Sequence, residues 1–455
     1  MVVLADYSPI RIVRPARSVP KQARLSRYAL LGEAEGVYYH DYDYHVYDYH
    51  IFDKLFVYMK INAYLCSRLD INNGRMINPF VTKGYAGPEY FCDRMKETED
   101  LVKLLTNDNN MALISPRRLG KTDLIYHVFS QPEIKKHYYT FVIDIYATNS
   151  LGDFVDVFGK AILDELKPFG RKSWEKFVSA LKSLQQQISF DINGNPVWGI
   201  GLGNNSVPST TLDEIFSYLK TADKPCLVAI DEFQQITQYA DKNVEAALRT
   251  HIQRCPNATF LFSGSKRHMM SEIFLSPSRP FYQSVITMGL TPISEDIYTE
   301  FAVRQFQKGG KALDEAVVHD VYLRFSGVTS CLQRVMNVLF LNTDRNERCT
   351  VDMVGRAVDY LLDLYSEHYE MLFRQMSERQ RLVFSAITKE GKAQNITGGT
   401  FIKKYQLWSA SSVMSAAKAL LDKDFITQEG DAYFVYDQFF ALWLLRSWGK
   451  DTNSF

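Results

Sequence analysis

The sequence lacks the signals of a membrane or secreted protein. No apolar run approaches the roughly 18–20 residues that a helix needs to span a bilayer. The N-terminus contains arginines but no apolar stretch typical of a signal peptide. These absences favour a soluble, cytoplasmic protein with no membrane partner.

Cysteine is scarce and scattered. The six cysteines form no C-x-x-C pair, and none lies near histidines at zinc spacing. The pattern indicates a reducing compartment without a disulfide framework. Cys226 and Cys331 stand in apolar surroundings and are predicted to be small core residues.

An excess of charge is also missing, because 52 Lys and Arg residues balance 52 Asp and Glu residues. The overall charge therefore predicts no polyanionic partner, although a local basic patch can still exist. The hydrophobic fraction of 46% is sufficient for cores of normal size. At about 100–200 residues per domain, the length of 455 residues predicts roughly two to four domains.

Residues 1–75 differ from the rest of the chain. Residues 1–30 are basic and irregular, and residues 37–50 form a low-complexity tract of Tyr, Asp and His. Because the sequence becomes orderly from Met76, we expect Met76 to be the natural start and residues 1–75 to be upstream sequence or a poorly ordered extension. A metal site in the tract is disfavoured, since the five-residue spacing of its histidines fits one face of neither a helix nor a strand. Its members would be His40, His45 and His50 with Asp41, Asp43 and Asp48.

Short apolar segments alternate with helical patterns between residues 94 and 292. This alternation predicts an α/β domain whose parallel sheet is covered by helices on both faces. Residues 188–210, rich in Gly and Asn, are predicted to be an exposed loop or hairpin. The predicted strands are residues 111–114, 139–145, 226–230, 259–262 and 284–288.

The segment Ser115–Thr122, here called the phosphate loop, reads Ser-Pro-Arg-Arg-Leu-Gly-Lys-Thr between a predicted strand and a predicted helix. It matches the pattern G-x-x-x-x-G-K-[ST], except that Ser115 replaces the first glycine. Backbone N–H groups and the helix N-terminus can bind phosphate oxygens, and Gly120 lets the backbone approach them. The Lys121 ammonium can reach the β- and γ-phosphates, and the Thr122 hydroxyl can hold Mg²⁺. A chance Gly-Lys-Thr at a helix start is the alternative.

A second motif, Asp231-Glu232, follows the buried strand at 226–230. Ligands bind at this end of the strands in open α/β sheets. Asp231 is predicted to support Mg²⁺ directly or through water, and Glu232 to orient and polarise the attacking water. The alternative is a pair of acids at the solvent boundary, which a preceding phosphate loop disfavours.

Further candidates follow the next predicted strand. Ser263 and Ser265 are candidates for a hydrogen bond to the γ-phosphate or the attacking water, with an ordinary polar loop as an equal alternative. Arg267 and Arg279 are candidates for an arginine finger, in cis or from a neighbouring subunit.

Inside the phosphate loop, Arg117 and Arg118 can touch phosphate or form surface salt bridges, and Asp144 can belong to the site or be structural. Catalytic roles are assigned to Glu232 and Lys121, and Mg²⁺ to Thr122 and Asp231. The residues assigned to the nucleotide are Ser115, Pro116, Arg117, Arg118, Leu119, Gly120, Lys121, Thr122, Asp123, Ser263 and Arg279.

The pattern changes after residue 292. Residues 294–370 are predicted to be helical without strands, with breaks at Ser326–Gly327 and around 342–348. Residues 371–455 predict three helices and a hairpin, which together make a winged helix, followed by a final apolar helix. The predicted helices are 377–390 with Ser377 as N-cap, 399–405, 409–421 and 437–445, and the hairpin strands are 425–428 and 432–436.

The third helix of a winged helix is the one offered to a DNA groove. Its predicted exposed positions carry one positive charge, a weak footprint for phosphate binding. DNA binding and protein contacts are therefore equally open. The exposed positions are Ser409, Ser411, Ser412, Ser415 and Lys418, preceded by Lys403 and Lys404.

The combined motifs resemble the archaeal-type ATPases, which are similar to the STAND-like branch of the AAA+ superfamily. The resemblance covers about residues 76–445 and implies a five-stranded P-loop core with an extra strand between the two motif strands. It also implies ATP as the nucleotide, a catalytic Glu beside a Mg²⁺-linked Asp, a helical lid and a C-terminal winged helix. The lid's usual Gly-x-Pro appears as Gly327-Val-Thr329, so the resemblance does not imply a contact between lid and nucleotide. The matching segments are 114–122, 230–235, 262–268 and 278–282.

We therefore predict a Mg²⁺-dependent ATPase that acts as a nucleotide switch coupled to the winged helix. The alternatives are a nucleotide-regulated DNA-binding protein with negligible hydrolysis, and a protein-interaction scaffold. A DNA or protein partner at the winged helix and a homo-oligomer are both open. The predicted domains are an N-terminal extension (1–75), the ATPase core (76–292), the helical lid (293–370) and the winged-helix domain (371–455).

Overall fold

A five-stranded parallel sheet organises the first part of the protein. The computed structural model describes residues 78–184, 188–191, 196–198 and 207–451, all of which belong to one compact unit of the chain. The predictions for residues 1–75 lie outside these described residues. The strands are β1 (Met111–Ile114), β2 (Tyr139–Asp144), β3 (Ile188–Phe190), β4 (Pro196–Trp198), β5 (Cys226–Asp231), β6 (Ala258–Gly264) and β7 (Ile286–Met288).

The sheet has the strand order β2-β5-β6-β1-β7, and all of its strands are parallel. The five predicted strands are thus confirmed, and β6 lies between the two motif strands β1 and β5, as the resemblance implied. β3 and β4 form a separate antiparallel pair, which confirms the hairpin alternative for the segment after residue 188.

Helices cover both faces of the sheet because side chains alternate along each strand. On β6, Phe260 and Phe262 pack into one apolar cluster, whereas Leu261 packs into the opposite cluster with Leu113 and Leu124. The helices of this part are α1 (Met95–Leu105), α2 (Lys121–Phe129), α3 (Pro132–His137), α4 (Leu151–Leu166), α5 (Arg171–Ala180), α6 (Pro208–Thr221), α7 (Val244–Gln253) and α8 (Arg267–Leu275).

The lid is mainly helical, but the prediction that it lacks strands is wrong. β8 (Ala312–Leu313) and β9 (Arg348–Cys349) form a short parallel pair. Strands of two residues are too short to show a period in the sequence. The lid helices are α9 (Glu295–Lys308), α10 (Glu315–Phe325), α11 (Thr329–Leu341), α12 (Asp352–Leu364) and α13 (Ser366–Gln375).

The predicted break at Ser326–Gly327 is confirmed, because α10 ends at Phe325 and α11 begins at Thr329. Gly327 has φ 72°, and a Cβ atom there would meet the phenolic oxygen of Tyr322 at 2.7 Å. Both the left-handed backbone and the close approach require glycine. Cys226 is buried in the apolar cluster of the sheet and Cys331 in that of the lid, as predicted.

The C-terminal part is a winged helix, as predicted. Ser377 caps its first helix by accepting a hydrogen bond from Gln380 N at 3.3 Å, and Ser377 N donates one to Gln380 Oε1 at 2.9 Å. The sequence missed a third strand, and Ser412, predicted to be exposed, is half-buried. The elements are α14 (Glu378–Glu390), β10 (Ala393–Gln394), α15 (Gly399–Lys404), α16 (Ala410–Asp422), β11 (Ile426–Glu429), β12 (Ala432–Val435) and α17 (Gln438–Asp451).

One continuous apolar core runs through the lid and the winged helix. Phe80, at the start of the described chain, is fully buried in this core and contacts the rings of Phe301, Phe306 and Phe340. The lid and the winged helix are therefore joined by packing as well as by the chain. The predicted domain boundaries at 292 and 370 stay predictions.

The aromatic packing beside β6 predicts a large loss of stability when it is removed. Phe262 is fully buried, and its ring centroid lies 4.5 Å from that of Phe233 and 5.3 Å from that of Phe274. We expect Phe262→Ala to lower the free energy of unfolding by about 3–5 kcal/mol, measured by urea denaturation. The control Leu275→Ala, at a residue 55% exposed, should change it by less than about 1 kcal/mol. Equal effects of the two changes would contradict this packing.

Candidate functional site

The phosphate loop connects the end of β1 to the start of α2. Gly120, directly before the helix, has φ 85° and ψ 27°, a left-handed conformation that favours glycine. A Cβ atom at Gly120 would meet nothing within 4 Å. Backbone geometry is therefore what requires glycine here, and the open space in front of the loop is room for a ligand.

Lys121 is nearly buried at the first turn of α2, with 6% of its surface exposed. Its ammonium donates hydrogen bonds to the carbonyl oxygens of Ser115 and Pro116 at 2.8 and 2.9 Å. Burial lowers the pKa of Lys121 to about 8, although the carboxylates of Glu232 and Asp231 counteract part of this effect. The side chain is thus held inside the loop and carries mainly a positive charge at neutral pH.

Thr122 and Asp231 bring the two sequence motifs into contact. The Thr122 hydroxyl donates a hydrogen bond to Asp231 Oδ2 at 2.6 Å. Thr122 is exposed, whereas Asp231 is 6% exposed at the end of β5. Hydroxyl and carboxylate oxygens are the hard ligands that Mg²⁺ prefers.

Asp123 adds a further carboxylate. Burial raises its pKa to about 6, and the nearby charge of Asp231 raises it as well. Within the part of the chain that the structure describes, no group of three or more His, Cys, Asp and Glu residues is arranged for a metal. Thr122 and Asp231 would hold a Mg²⁺ ion together with phosphate oxygens, which is how protein sites often bind it.

Glu232 is held by hydrogen bonds at one of its oxygens and by an ion pair at the other. Oε2 accepts from Gln234 Nε2 and from Ser265 Oγ at 2.7 Å, and Oε1 lies 3.5 Å from Arg117 Nε. Burial alone would raise the pKa of Glu232, but Arg117, these hydrogen bonds and Lys121 together lower it below its ordinary value. The carboxylate is thus ionised at neutral pH.

Ser115 and Ser263 contribute buried hydroxyls beside the two motifs. Both residues are fully buried, and neither hydroxyl has a hydrogen-bond partner in the described structure. Ser263 pairs in register with Leu113 of β1, and the residue before it, Phe262, pairs with Ile230 of β5. Ser263 therefore lies on the strand between those that carry the two motifs, and a bound polar group that reached its unsatisfied hydroxyl would offset its burial.

Some predicted residues are not brought to the phosphate loop. Arg279 lies 3.5 Å from both Glu245 and Glu272 and is not among the residues that line the cavity at the loop. Asp144 pairs in register with Asp231 but is exposed. A role of Arg279 toward a neighbouring subunit stays a prediction.

The cavity at the phosphate loop has two walls that sequence reasoning missed. One wall comes from the lid, where Ser330 N donates a hydrogen bond to the Arg118 carbonyl at 3.2 Å. The lid contacts the site although it lacks the usual proline. The lid residues that line the cavity are Ile293, Thr329, Ser330, Gln333 and Arg334.

The other wall is the segment between Val81 and Arg94. Phe91 stacks on His127 of α2 with ring centroids 4.2 Å apart, and Tyr85 Oη lies 2.9 Å from His127 Nδ1. Arg94 anchors the segment through hydrogen bonds to the carbonyl oxygens of Leu119 at 3.3 Å and Thr291 at 2.7 Å. A lone arginine at a helix start gave no signal in the sequence.

None of the helices in the described part of the chain has the length and apolarity that crossing a bilayer requires. The five cysteines in the described part, Cys92, Cys226, Cys255, Cys331 and Cys349, are all free and buried.

Comparisons with known proteins agree with this architecture. A family model described as a probable winged helix domain matches residues 367–446. A Walker-type ATPase of Pyrococcus abyssi is similar in structure, with a TM-score of 0.57 and 18% identity over 81% of this chain and 99% of that chain. The ORC2 protein of Aeropyrum pernix, solved as ADPNP and ADP complexes, has a TM-score of 0.50 and 12% identity over 82% of this chain and 98% of its own. A search of the curated proteins finds no match.

At these identities the structural likeness shows the fold alone. The protein thus has the α/β fold of P-loop ATPases, followed by a C-terminal winged-helix domain. Membership of the archaeal-type, STAND-like branch stays a prediction.

Backbone conformation predicts opposite effects of alanine on stability at Gly120 in the phosphate loop and at Gly355 in α12. We expect Gly120→Ala to destabilise the protein by about 1–2 kcal/mol, because an L-residue is strained at φ 85°, and to weaken nucleotide binding. The matched control is Gly355→Ala in α12, where a Cβ atom also meets nothing within 4 Å and the helical backbone suits alanine. It should stabilise by about 0.4–1 kcal/mol. Thermal denaturation and titration with a fluorescent nucleotide measure both effects, and a neutral Gly120→Ala would contradict the strain.

Proposed function

We propose that this protein binds ATP with Mg²⁺, hydrolyses it to ADP and phosphate, and acts as a nucleotide switch coupled to its winged-helix domain. The observation that carries the proposal is the 2.6 Å contact between Thr122 and Asp231. It joins a phosphate loop to a carboxylate pair, the combination that phosphoryl transfer to water needs. The fold, which is that of P-loop ATPases, also supports ATP binding and hydrolysis as the function.

Binding would rest on the phosphate loop. The backbone N–H groups before α2 and the Lys121 ammonium would bind phosphate oxygens, and Thr122 and Asp231 would hold Mg²⁺. The ion, when bound, supplies charge neutralisation to the phosphates. The choice of ATP over GTP rests on the resemblance to archaeal-type ATPases.

Hydrolysis would rest on Glu232. Its lowered pKa keeps it ionised, so that it can orient a water molecule and accept its proton. Gln234 and Ser265 hold the carboxylate in place through hydrogen bonds to Oε2. The Ser263 hydroxyl, which lies between the motif strands, would bond the γ-phosphate or the attacking water.

Switching would follow from the walls of the cavity. The lid contributes Ser330 and its neighbours to the same cavity as the phosphate loop, and it shares an apolar core with the winged helix. A change in nucleotide contacts at the lid would therefore reach the winged helix through packed side chains.

The target of the winged helix is open between DNA and protein. Ser409, Ser411, Ser415 and Lys418 are exposed on or beside α16, so the face that would enter a groove carries a single positive charge. DNA binding that weakens steeply with salt would favour DNA as the target, and co-purifying proteins without such binding would favour a protein scaffold.

Glu232→Gln provides the first test of hydrolysis. We expect the turnover of ATP to fall by about 10²–10⁴-fold, because the amide cannot accept a proton, while nucleotide binding is retained. Lys121→Ala should lose binding itself. The control is Glu272→Gln, an exposed glutamate outside the cavity. A Glu232→Gln variant that hydrolyses ATP as fast as the wild type would show that the catalytic assignment is wrong.

The metal assignment has a separate test. Thr122→Ser keeps the hydroxyl that lies 2.6 Å from Asp231, so we expect it to retain hydrolysis with a similar dependence on Mg²⁺. Thr122→Ala removes this ligand and should raise the Mg²⁺ concentration needed for half-maximal rate by about 10-fold or more. Chelation of Mg²⁺ should abolish hydrolysis by the wild type. Equal Mg²⁺ requirements of the two variants would argue against Thr122 as a ligand.

A further inference from the structure

Both arginines of the phosphate loop extend to the winged-helix domain. Arg118 Nη2 donates a hydrogen bond to Asp437 Oδ2 at 2.9 Å, and its guanidinium lies 5.0 Å from the ring centroid of Tyr436. Arg117 Nη1 donates to Asp424 Oδ2 at 3.3 Å. Asp424 follows α16, and Asp437 directly precedes α17. The loop that forms the candidate phosphate site is therefore also the loop that holds the winged helix.

Arg117 also reaches the candidate catalytic carboxylate. Its Nε donates to Ser265 Oγ at 3.0 Å and lies 3.5 Å from Glu232 Oε1. The Arg117 guanidinium thus contacts the carboxylate of Glu232 in the ATPase core and the carboxylate of Asp424 in the winged helix. Any movement of Arg117 toward a different anion changes both contacts at once.

The charges on the two sides are complementary beyond these pairs. Lys266 Nζ lies 3.7 Å from Asp424 Oδ1, and Arg267 Nη1 lies 3.2 Å from Glu429 Oε1. Both cations follow β6, whose end lies at the same edge of the sheet as the phosphate loop. The ATPase core therefore presents cations, and the winged helix presents carboxylates, where the two meet.

The ion pairs of Arg117 and Arg118 are partly buried. The side chains of Arg118 and Asp437 are 25% and 20% exposed, and those of Arg117 and Asp424 are 23% and 33% exposed. Partly buried pairs are screened less by salt than exposed ones. Separating them requires another partner for each charge, since a partly buried unpaired charge is costly.

A nucleoside triphosphate would supply that other partner to the arginines. Its phosphates would enter the loop that contains Arg117 and Arg118, and phosphate is a strong, bidentate acceptor for guanidinium groups. We propose that Arg117, Arg118, Asp424 and Asp437 form a winged-helix latch that holds this domain against the ATPase core, and that a triphosphate bound at the loop releases it. The inference rests on the proposed function, because it requires the loop to bind the triphosphate.

Linkage makes the latch measurable. If the triphosphate weakens closure of the latch by some factor, then closure of the latch weakens binding of the triphosphate by the same factor. Removing the latch should therefore tighten binding of the triphosphate. The closed latch also shields the carboxylates of Asp424 and Asp437, so release exposes the two ends of the segment 424–437.

The test variant is the double change Asp424→Asn/Asp437→Asn, which removes charge with little change of shape. Asp424 has φ 55°, a conformation that asparagine tolerates. Asp437 Oδ1 caps α17 by accepting from the backbone N–H groups of Phe439 and Phe440, and asparagine is an equally good cap. The matched control is Asp422→Asn/Asp431→Asn, which removes the same charge from two exposed residues of the same domain.

We expect the double variant to bind the non-hydrolysable analogue AMP-PNP about threefold to tenfold more tightly than the wild type, by calorimetry. Amide hydrogen exchange of the segment 424–437 should be faster in the variant without nucleotide. In the wild type the same segment should exchange faster once AMP-PNP is added. The control variant should match the wild type in both measurements.

Unchanged affinity and unchanged exchange in a folded double variant would overturn the latch while leaving nucleotide binding intact. Absence of AMP-PNP binding by the wild type would instead overturn the proposed function and with it the release step. If thermal denaturation shows that the double variant is unfolded, the single change Asp424→Asn replaces it. That variant should then bind about twofold more tightly, and a wild-type affinity would count against the latch.

Discussion

The parallel arrangement of β1, β6 and β5 is the constraint on which the candidate site depends. Because parallel strands end at the same edge of a sheet, the loop after β1 and the acids after β5 meet there although more than a hundred residues separate them. The hydrogen bond between Thr122 and Asp231 joins these two segments directly. The buried hydroxyl of Ser263, on the strand between them, completes the set of polar groups at this edge.

The same edge of the sheet is where the ATPase core meets the winged helix. Cations are concentrated there, and two of them, Arg117 and Arg118, have carboxylate partners on the winged helix. The electrostatics that suit a polyphosphate therefore also hold the neighbouring domain. Lid and winged helix share one apolar core, so the domain attached by these ion pairs is already packed against the lid.

Local chemistry accounts for what sequence reasoning predicted well. Phosphate-loop residues lie next to one another in the chain, and the left-handed Gly120 before α2 follows from a known pattern. The N-cap at Ser377 and the buried strand predicted at 226–230 likewise depend on neighbouring residues. In contrast, Ser330 and Arg334 of the lid, Arg94 and the short pair β8–β9 gave no pattern, since each acquires its role only from a distant partner.

The sequence by itself determined the five strands of the parallel sheet, the phosphate loop, the Asp231-Glu232 pair and the winged helix, because each has a signature in the period or spacing of adjacent residues. Only the tertiary structure decided the partners of the charged side chains. It directed Arg117 and Arg118 to Asp424 and Asp437, and it placed Arg279 with glutamates away from the loop. The physical reason is that a charge pairs with whichever opposite charge the packed fold brings near, and residues three hundred positions apart have no local signature of that contact.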